Sequence, residues 1–258
     1  MKKSSHQSAL PSHYNQEAKY YDAFNEENSR IINKTIEKFL KKYKARSVLD
    51  LTCGTGSQVF WLVEQGYDVV GSDINSKMLS IARTKAKERG LSVKFLKADM
   101  RDAKLGTFDA AITIFNAVGH LTKADFAKAV RNIHANLGEG GLYIFDIFNL
   151  SFLLEKDNIT TFTIDWFKRV GDTKARVIQY STIDENGVMA SFTIESEQKT
   201  QGKAEVTESA QTLQTYRAND LCNLLKESGF EVLSQCAIDG SKFNDVTTDR
   251  ILTVAQKI

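Results

Sequence analysis

Residues 48–58 read VLDLTCGTGSQ, and the fold turns on this stretch. Val48, Leu49 and Leu51 make a short apolar run suited to a strand buried on both faces. The strand ends at Asp50 and Leu51, a turn of small residues follows, and a helix begins near Thr55. Gly54 and Gly56 permit a backbone path and a close ligand approach that a Cβ would block. The amides beyond the turn and the helix N-terminus favour an anionic group.

Working outward, the chain alternates between two periods. Ile32, Ile36, Phe39 and Tyr43 mark one face of a preceding helix. Val59, Leu62 and Val63 mark the next helix, YDVVGS (67–72) the next strand, and Leu79, Ala82 and Ala86 a further helix that Gly90 can cap. VKFLKA, FDAAITIF and GGLYIFDIF read as three more strands. The helix between the last two has a capping box at Thr122 and Asp125. Strand and helix at this cadence predict βαβ units and a parallel sheet covered on both faces. After about residue 150 the pattern changes. VIQYSTID and VMASFTIE flank Glu185-Asn186-Gly187, a hairpin signal, and Glu205 to Tyr216 supplies another strand. A helical period returns in NDLCNLLKESGF, followed by EVLSQCAID and RILTVAQKI as closing strands. The expected organisation is an N-terminal lid segment (1–29), a doubly wound α/β domain (30–155 and 216–258) and an antiparallel β insertion over the acceptor site (156–215).

Composition narrows the function classes. In 258 residues, 42% hydrophobic and 26% charged, there are 15 Phe, 8 Tyr and 2 Trp, which excludes a predominantly disordered chain. No run approaches the roughly 20 apolar residues that span a bilayer. The N-terminus lacks the apolar segment of a secretory signal. Cys53, Cys222 and Cys236 have neither disulfide-framework nor zinc spacing, so no metal and a reduced, cytoplasmic setting are expected. Basic and acidic residues are interspersed, with a net charge of +2, and no basic stripe of the kind nucleic-acid binders carry is visible.

Asp73 lies seventeen residues after Gly56, at the end of the second strand, where a carboxylate can accept both hydroxyls of a ribose. A dinucleotide fingerprint would need a third glycine where Val59 stands. The run from Val48 to Gly56 instead resembles the first motif of the class I S-adenosylmethionine-dependent methyltransferases, and GSDINSKML, KADMRD, FDAAITIFNAVGHL and LGEGGLYIFDIFN resemble their later segments in order. The resemblance implies a Rossmann-like, mostly parallel seven-stranded sheet of order 3-2-1-4-5-7-6, with strand 7 antiparallel. It implies S-adenosyl-L-methionine as cofactor (S-adenosyl-L-homocysteine as product). Asp50, Thr52, Cys53, Gly54, Thr55 and Gly56 would form its turn, and Asp73 would hold the ribose. Ile74, Met78, Asp99 and Met100 would lie around the adenine, with Phe115 and Asn116 after the fourth strand.

Within that family the layout is nearest to the glycine N-methyltransferases and the sugar N,N-dimethyltransferases. The proline-rich motif of base-amine methyltransferases cannot be present, because Pro11 is the sole proline. The resemblance places His120 near the methyl acceptor and Asn149 on it, Tyr21 nearest the sulfonium, and Tyr14 in the lid. It places Arg30 on the cofactor carboxylate. Each has a plainer reading: a histidine bonded to a loop carbonyl, an asparagine capping a strand end, a solvated arginine, surface tyrosines. The expected function is methyl transfer to a small molecule, with an amine as the preferred acceptor. O-methylation or a non-catalytic cofactor-binding module are the alternatives. The expected assembly is a monomer or homodimer.

Overall fold

The computed structural model describes residues 5–12, 21–155, 158–170, 172–199 and 202–258, without the side chains of 21–27, Lys168 and Val170. At its centre β1 (Ser47–Asp50) lies between β2 (Asp68–Asp73) and β4 (Phe108–Thr113), parallel to both. Successive β1 side chains enter opposite layers, as strand geometry requires. Val48 packs with Ile32, Ile36, Val59 and Leu79, whereas Leu49 packs with Phe126, Val130, Tyr143 and Leu221. The apolar run of the sequence is therefore one strand feeding two cores.

The first layer is built by α1 (Tyr21–Lys42), α2 (Ser57–Glu64) and α3 (Ser76–Glu88), and the second by α4 (Lys123–Ala135) and α6 (Ala218–Glu227). β3 (Lys94–Lys97) continues the parallel sheet beyond β2, and β5 (Leu137–Phe148) continues it beyond β4. β11 (Arg250–Lys257) pairs antiparallel with β5, and β10 (Phe230–Cys236) pairs antiparallel with β11. The order β10-β11-β5-β4-β1-β2-β3 reproduces the expected seven-stranded sheet. The strand order reverses between β1 and β4, the crevice where open α/β sheets take ligands. Thr122 caps α4, its Oγ1 accepting from the Asp125 amide at 3.2 Å. The other half of the expected capping box is bridged rather than direct: the Ser8 hydroxyl accepts from the Thr122 amide and donates to Asp125.

A second sheet holds β6 (Ile164–Val170), β7 (Thr173–Ile183), β8 (Val188–Lys199) and β9 (Glu205–Gln214), all antiparallel in that order. The hairpin at Asn186-Gly187 is the β7–β8 turn, with Gly187 at φ +82° and Asp184 Oδ1 accepting from the Val188 amide. Strand β6 was not expected. Its IDWFKRV sequence mixes charged and aromatic residues without a clean alternation, and its pairing partner is the neighbouring β7. Met189 and Leu213 anchor this sheet on Leu153 of α5 (Leu150–Leu154). No helix among the described residues is long and apolar enough to cross a membrane.

Candidate functional site

The carboxyl ends of β1, β2 and β4 open on a crevice with about 780 Å³ of empty volume, solvent included. Thr52, Gly54, Asp73, Ile74, Met78 and Met100 line it, as do Asp99, Phe115 and His120. These nine are among the residues expected from the sequence, and they come from five separate segments.

The turn between β1 and α2 is held from behind. The Leu51 amide donates to the Ile112 carbonyl, the Cys53 amide to Ser72, and the Gly56 amide back to Cys53. Asp73 accepts from the Gly54 amide at 2.9 Å and from the Asn75 amide at 2.8 Å. Thr52 donates its amide to Asp50 at 3.1 Å. Five amides along the turn, from Leu51 to Gly56, are thus engaged within the protein. A pyrophosphate would need such amides turned outward, whereas an adenosyl-methionine ligand has no phosphate. Gly54, at φ +52°, has no atom within 4 Å of where a Cβ would stand, so the crevice keeps clear space against bare backbone there.

Four of the expected turn residues, Asp50, Cys53, Thr55 and Gly56, do not line the crevice. Cys53 and Thr55 are buried, and a Cβ on Gly56 would stand 2.6 Å from the Phe60 ring. Asp50 is also buried. Among the described residues its Oδ2 and the Thr52 Oγ1 are buried polar atoms with no hydrogen-bond partner, an unmet demand directly beneath the turn. Burial pushes the Asp50 carboxyl up to about 8, with Asp73 adding to the rise and the Thr52 amide opposing it. Asp73 is also raised, chiefly by burial. Above about pH 4 the unfolded chain has released the Asp50 proton that the folded chain keeps until about pH 8. Stability of the ligand-free protein should therefore fall across that window by up to about 1.4 kcal/mol per pH unit, with the loss complete above it. Asp50→Asn should flatten this slope; denaturant titrations at pH 5 and pH 8 that give the same difference for both proteins would refute it.

Asp99 reaches the crevice, but its carboxylate is already engaged. Arg101 donates to both of its oxygens, at 2.9 Å and 2.6 Å, and to Asp125 at 2.8 Å. Burial alone would raise the Asp99 carboxyl; the Arg101 hydrogen bonds hold it below its ordinary value instead. Any adenine contact there is shared with Arg101, a crevice residue the sequence reading missed.

After β4 the backbone enters a conformation rarely taken by side-chain-bearing residues. Phe115 has φ +63° and Asn116 φ +56°, each at a cost of about 1–3 kcal/mol. Asp146 of β5, fully buried, accepts from both amides, at 2.6 Å and 3.1 Å. The Asn116 side chain accepts from the Phe148 amide, so Asn116 supports the loop from inside instead of facing the crevice. The 3₁₀ turn Ala117–His120 that follows carries His120 to the crevice wall.

The segment 5–12 runs along the rim beside His120. Ala9, Leu10 and Pro11 line the crevice, and the Ala9 amide donates to the His120 carbonyl at 2.8 Å. The His6 ring bridges Thr212 of β9 at 2.9 Å and the Leu121 carbonyl at 3.0 Å. Nothing local in the sequence announces these contacts, which join residues more than a hundred positions apart.

Other expected residues stand elsewhere. Asn149 is fully buried and away from the crevice. Its Oδ1 accepts from the Ser151 amide, capping α5, while its Nδ2 donates to the Asp245 and Thr248 carbonyls. With every amide group engaged, it has nothing to offer an acceptor, which corrects that assignment. Arg30 is exposed on α1 and does not line the crevice. Tyr14 and the Tyr21 side chain lie outside the described residues. No group of metal-ligating residues is found among the described residues.

The comparisons agree with this geometry. Residues 48–141 match the family model described as a methyltransferase domain. The matched stretch is a methyltransferase domain. It is 36% identical over 156 residues to a glycine/sarcosine N-methyltransferase of Parasynechococcus marenigrum, covering 55% of each chain. It is 25% identical over 229 residues to a putative methyltransferase of Geobacillus sp., covering 86% of this chain and 90% of that one. The chain thus spans about half the length of the first of these relatives and most of the second. Among solved structures, an S-adenosylmethionine-dependent methyltransferase from Clostridium acetobutylicum superposes with a TM-score of 0.77 at 19% identity, over 95% of this chain and 98% of that one. A sugar N-methyltransferase from Streptoalloteichus sp. superposes at 0.75 and 20%, over 98% and 97%. These two likenesses establish the fold. The matched segment begins at Val48, the first residue of the decisive stretch, and the methyltransferase domain keeps its crevice along it.

Proposed function

We propose that the chain is an S-adenosylmethionine-dependent N-methyltransferase acting on a small amine. The observation that supports it is His120 on the wall of the crevice that Gly54, Asp73 and Phe115 also line. In this reading Asp73 takes the ribose hydroxyls, and Ile74, Met78 and Met100 pack around the adenine. Thr52 and Asp50, with their unmet polar atoms, lie nearest the amino-acid end. When bound, the cofactor supplies a methyl group on a positively charged sulfur.

The protein then has three tasks. It aligns the acceptor nitrogen with that methyl, a positioning effect that can contribute roughly 7–11 kcal/mol. It shields the acceptor from water, a task to which Ala9, Leu10 and Pro11 on the rim would contribute apolar surface. His120 takes the proton from an ammonium acceptor, because only the neutral amine has a lone pair to offer. Similarity to the glycine/sarcosine enzyme favours nitrogen over oxygen as the acceptor.

An extract of small metabolites incubated with isotopically labelled cofactor should yield a labelled amine; label on oxygen or carbon alone would reject the assignment. With that acceptor, His120→Ala should lower turnover by about 10²–10⁴-fold, the usual contribution of a general base. Affinity for S-adenosylhomocysteine, measured by calorimetry, should stay within about threefold. A collapse of that affinity with turnover would make His120 a structural residue.

A further inference from the structure

We propose that the buried pair Asp146–Arg250 is a positioning device that fixes the Phe115–Asn116 loop and thereby the Phe115 wall of the cofactor crevice. Asp146 sits near the end of β5, and Arg250 begins the antiparallel β11, opposite Phe148. Both are buried. The carboxylate receives four donors. Oδ1 takes the Phe115 amide, and Oδ2 takes the Asn116 amide together with Nε and Nη2 of Arg250. That uses about the full acceptor capacity of an ionised carboxylate. The guanidinium also lies 5.3 Å from the centroid of the Phe115 ring.

The two amides that Asp146 receives belong to the two consecutive residues with left-handed backbone. Without an acceptor for both, the loop would relax toward ordinary φ values, and Phe115 would leave its place on the crevice wall. A neutral isostere cannot substitute. An asparagine amide nitrogen would point a donor at donors, leaving a buried clash in place of a charge-assisted contact. The nearby Gly119 fits the same arrangement, because a Cβ there would stand 2.7 Å from the Asn116 Nδ2. Neither Asp146 nor Arg250 lines the crevice, so their effect passes through the loop.

This inference rests on the crevice taking the cofactor, and the test separates the two. S-adenosylhomocysteine affinity is measured by calorimetry on the full chain, well below each variant's unfolding midpoint. Asp146→Asn should weaken binding at least about tenfold, within the usual range for coupled neighbours. In the Asn116→Gly background, where one of the two positive-φ residues adopts its conformation without strain, the same change should cost no more than about threefold. That recovery is the readout a merely stabilising pair would not give. If Asp146→Asn does not fold, Arg250→Lys, which keeps the charge but not the two-donor geometry, is read in the same two backgrounds. Unchanged affinity, or an equal loss with and without Asn116→Gly, would overturn the proposal. A wild-type chain that binds no S-adenosylhomocysteine would instead overturn the cofactor reading itself.

Discussion

Gly56→Ala should destabilise the protein by about 2–5 kcal/mol. Two costs add. The residue sits at φ +95°, where a Cβ costs about 1–2 kcal/mol. The new carbon would also stand 2.6 Å and 2.8 Å from Cε2 and Cζ of Phe60. That ring cannot simply step aside: it is buried, it meets Phe95 edge-on at 6.1 Å, and the Arg89 guanidinium covers it at 4.7 Å. Overpacking of this kind costs about 1–3 kcal/mol. For a chain of this size the melting temperature should drop by about 5–15 °C. Gly54→Ala is the control, because its Cβ meets nothing. It carries the strain alone but projects toward the crevice, so it should affect cofactor affinity more than melting. A Gly56→Ala protein melting within a degree or two of wild type would contradict the packing argument.

Asp73→Ala should reduce affinity for S-adenosylhomocysteine by about 10²–10⁴-fold. Two hydrogen bonds from ribose hydroxyls to an ionised carboxylate are worth about 1.5–3 kcal/mol each. The same carboxylate also holds the Gly54 and Asn75 amides, so its removal loosens both the turn after β1 and the entry to α3. Asp73→Asn keeps an acceptor for one of those amides and should fall between the two. Calorimetry at fixed pH measures all three proteins, and equal affinities would remove Asp73 from the cofactor site.

The sheet was readable because its signals are local. Val48–Leu49–Asp50 is an apolar run that ends on a carboxylate and two glycines, and Asp73 ends the next strand. Both are fixed by strand period and turn chemistry, and the observed order follows from consecutive βαβ units. What the sequence did not disclose depends on distant partners. Arg250 meets Asp146 across 104 positions, and His6 meets Thr212 across 206. No period or spacing links such residues. Asn149 illustrates the reverse error. Its place after β5 suggested a role at the acceptor, while its three hydrogen bonds to the Ser151, Asp245 and Thr248 backbones decide otherwise. Asp99 and Asn116 were found in the right region, but their partners, Arg101 and the Phe148 amide, became visible only in three dimensions.

The stretch from His6 to Pro11 is fastened at once to the β9 strand, the His120 turn and the start of α4. Because these fastenings share a single short run of backbone, releasing one strains the next, and the rim is held as one unit rather than as separate contacts.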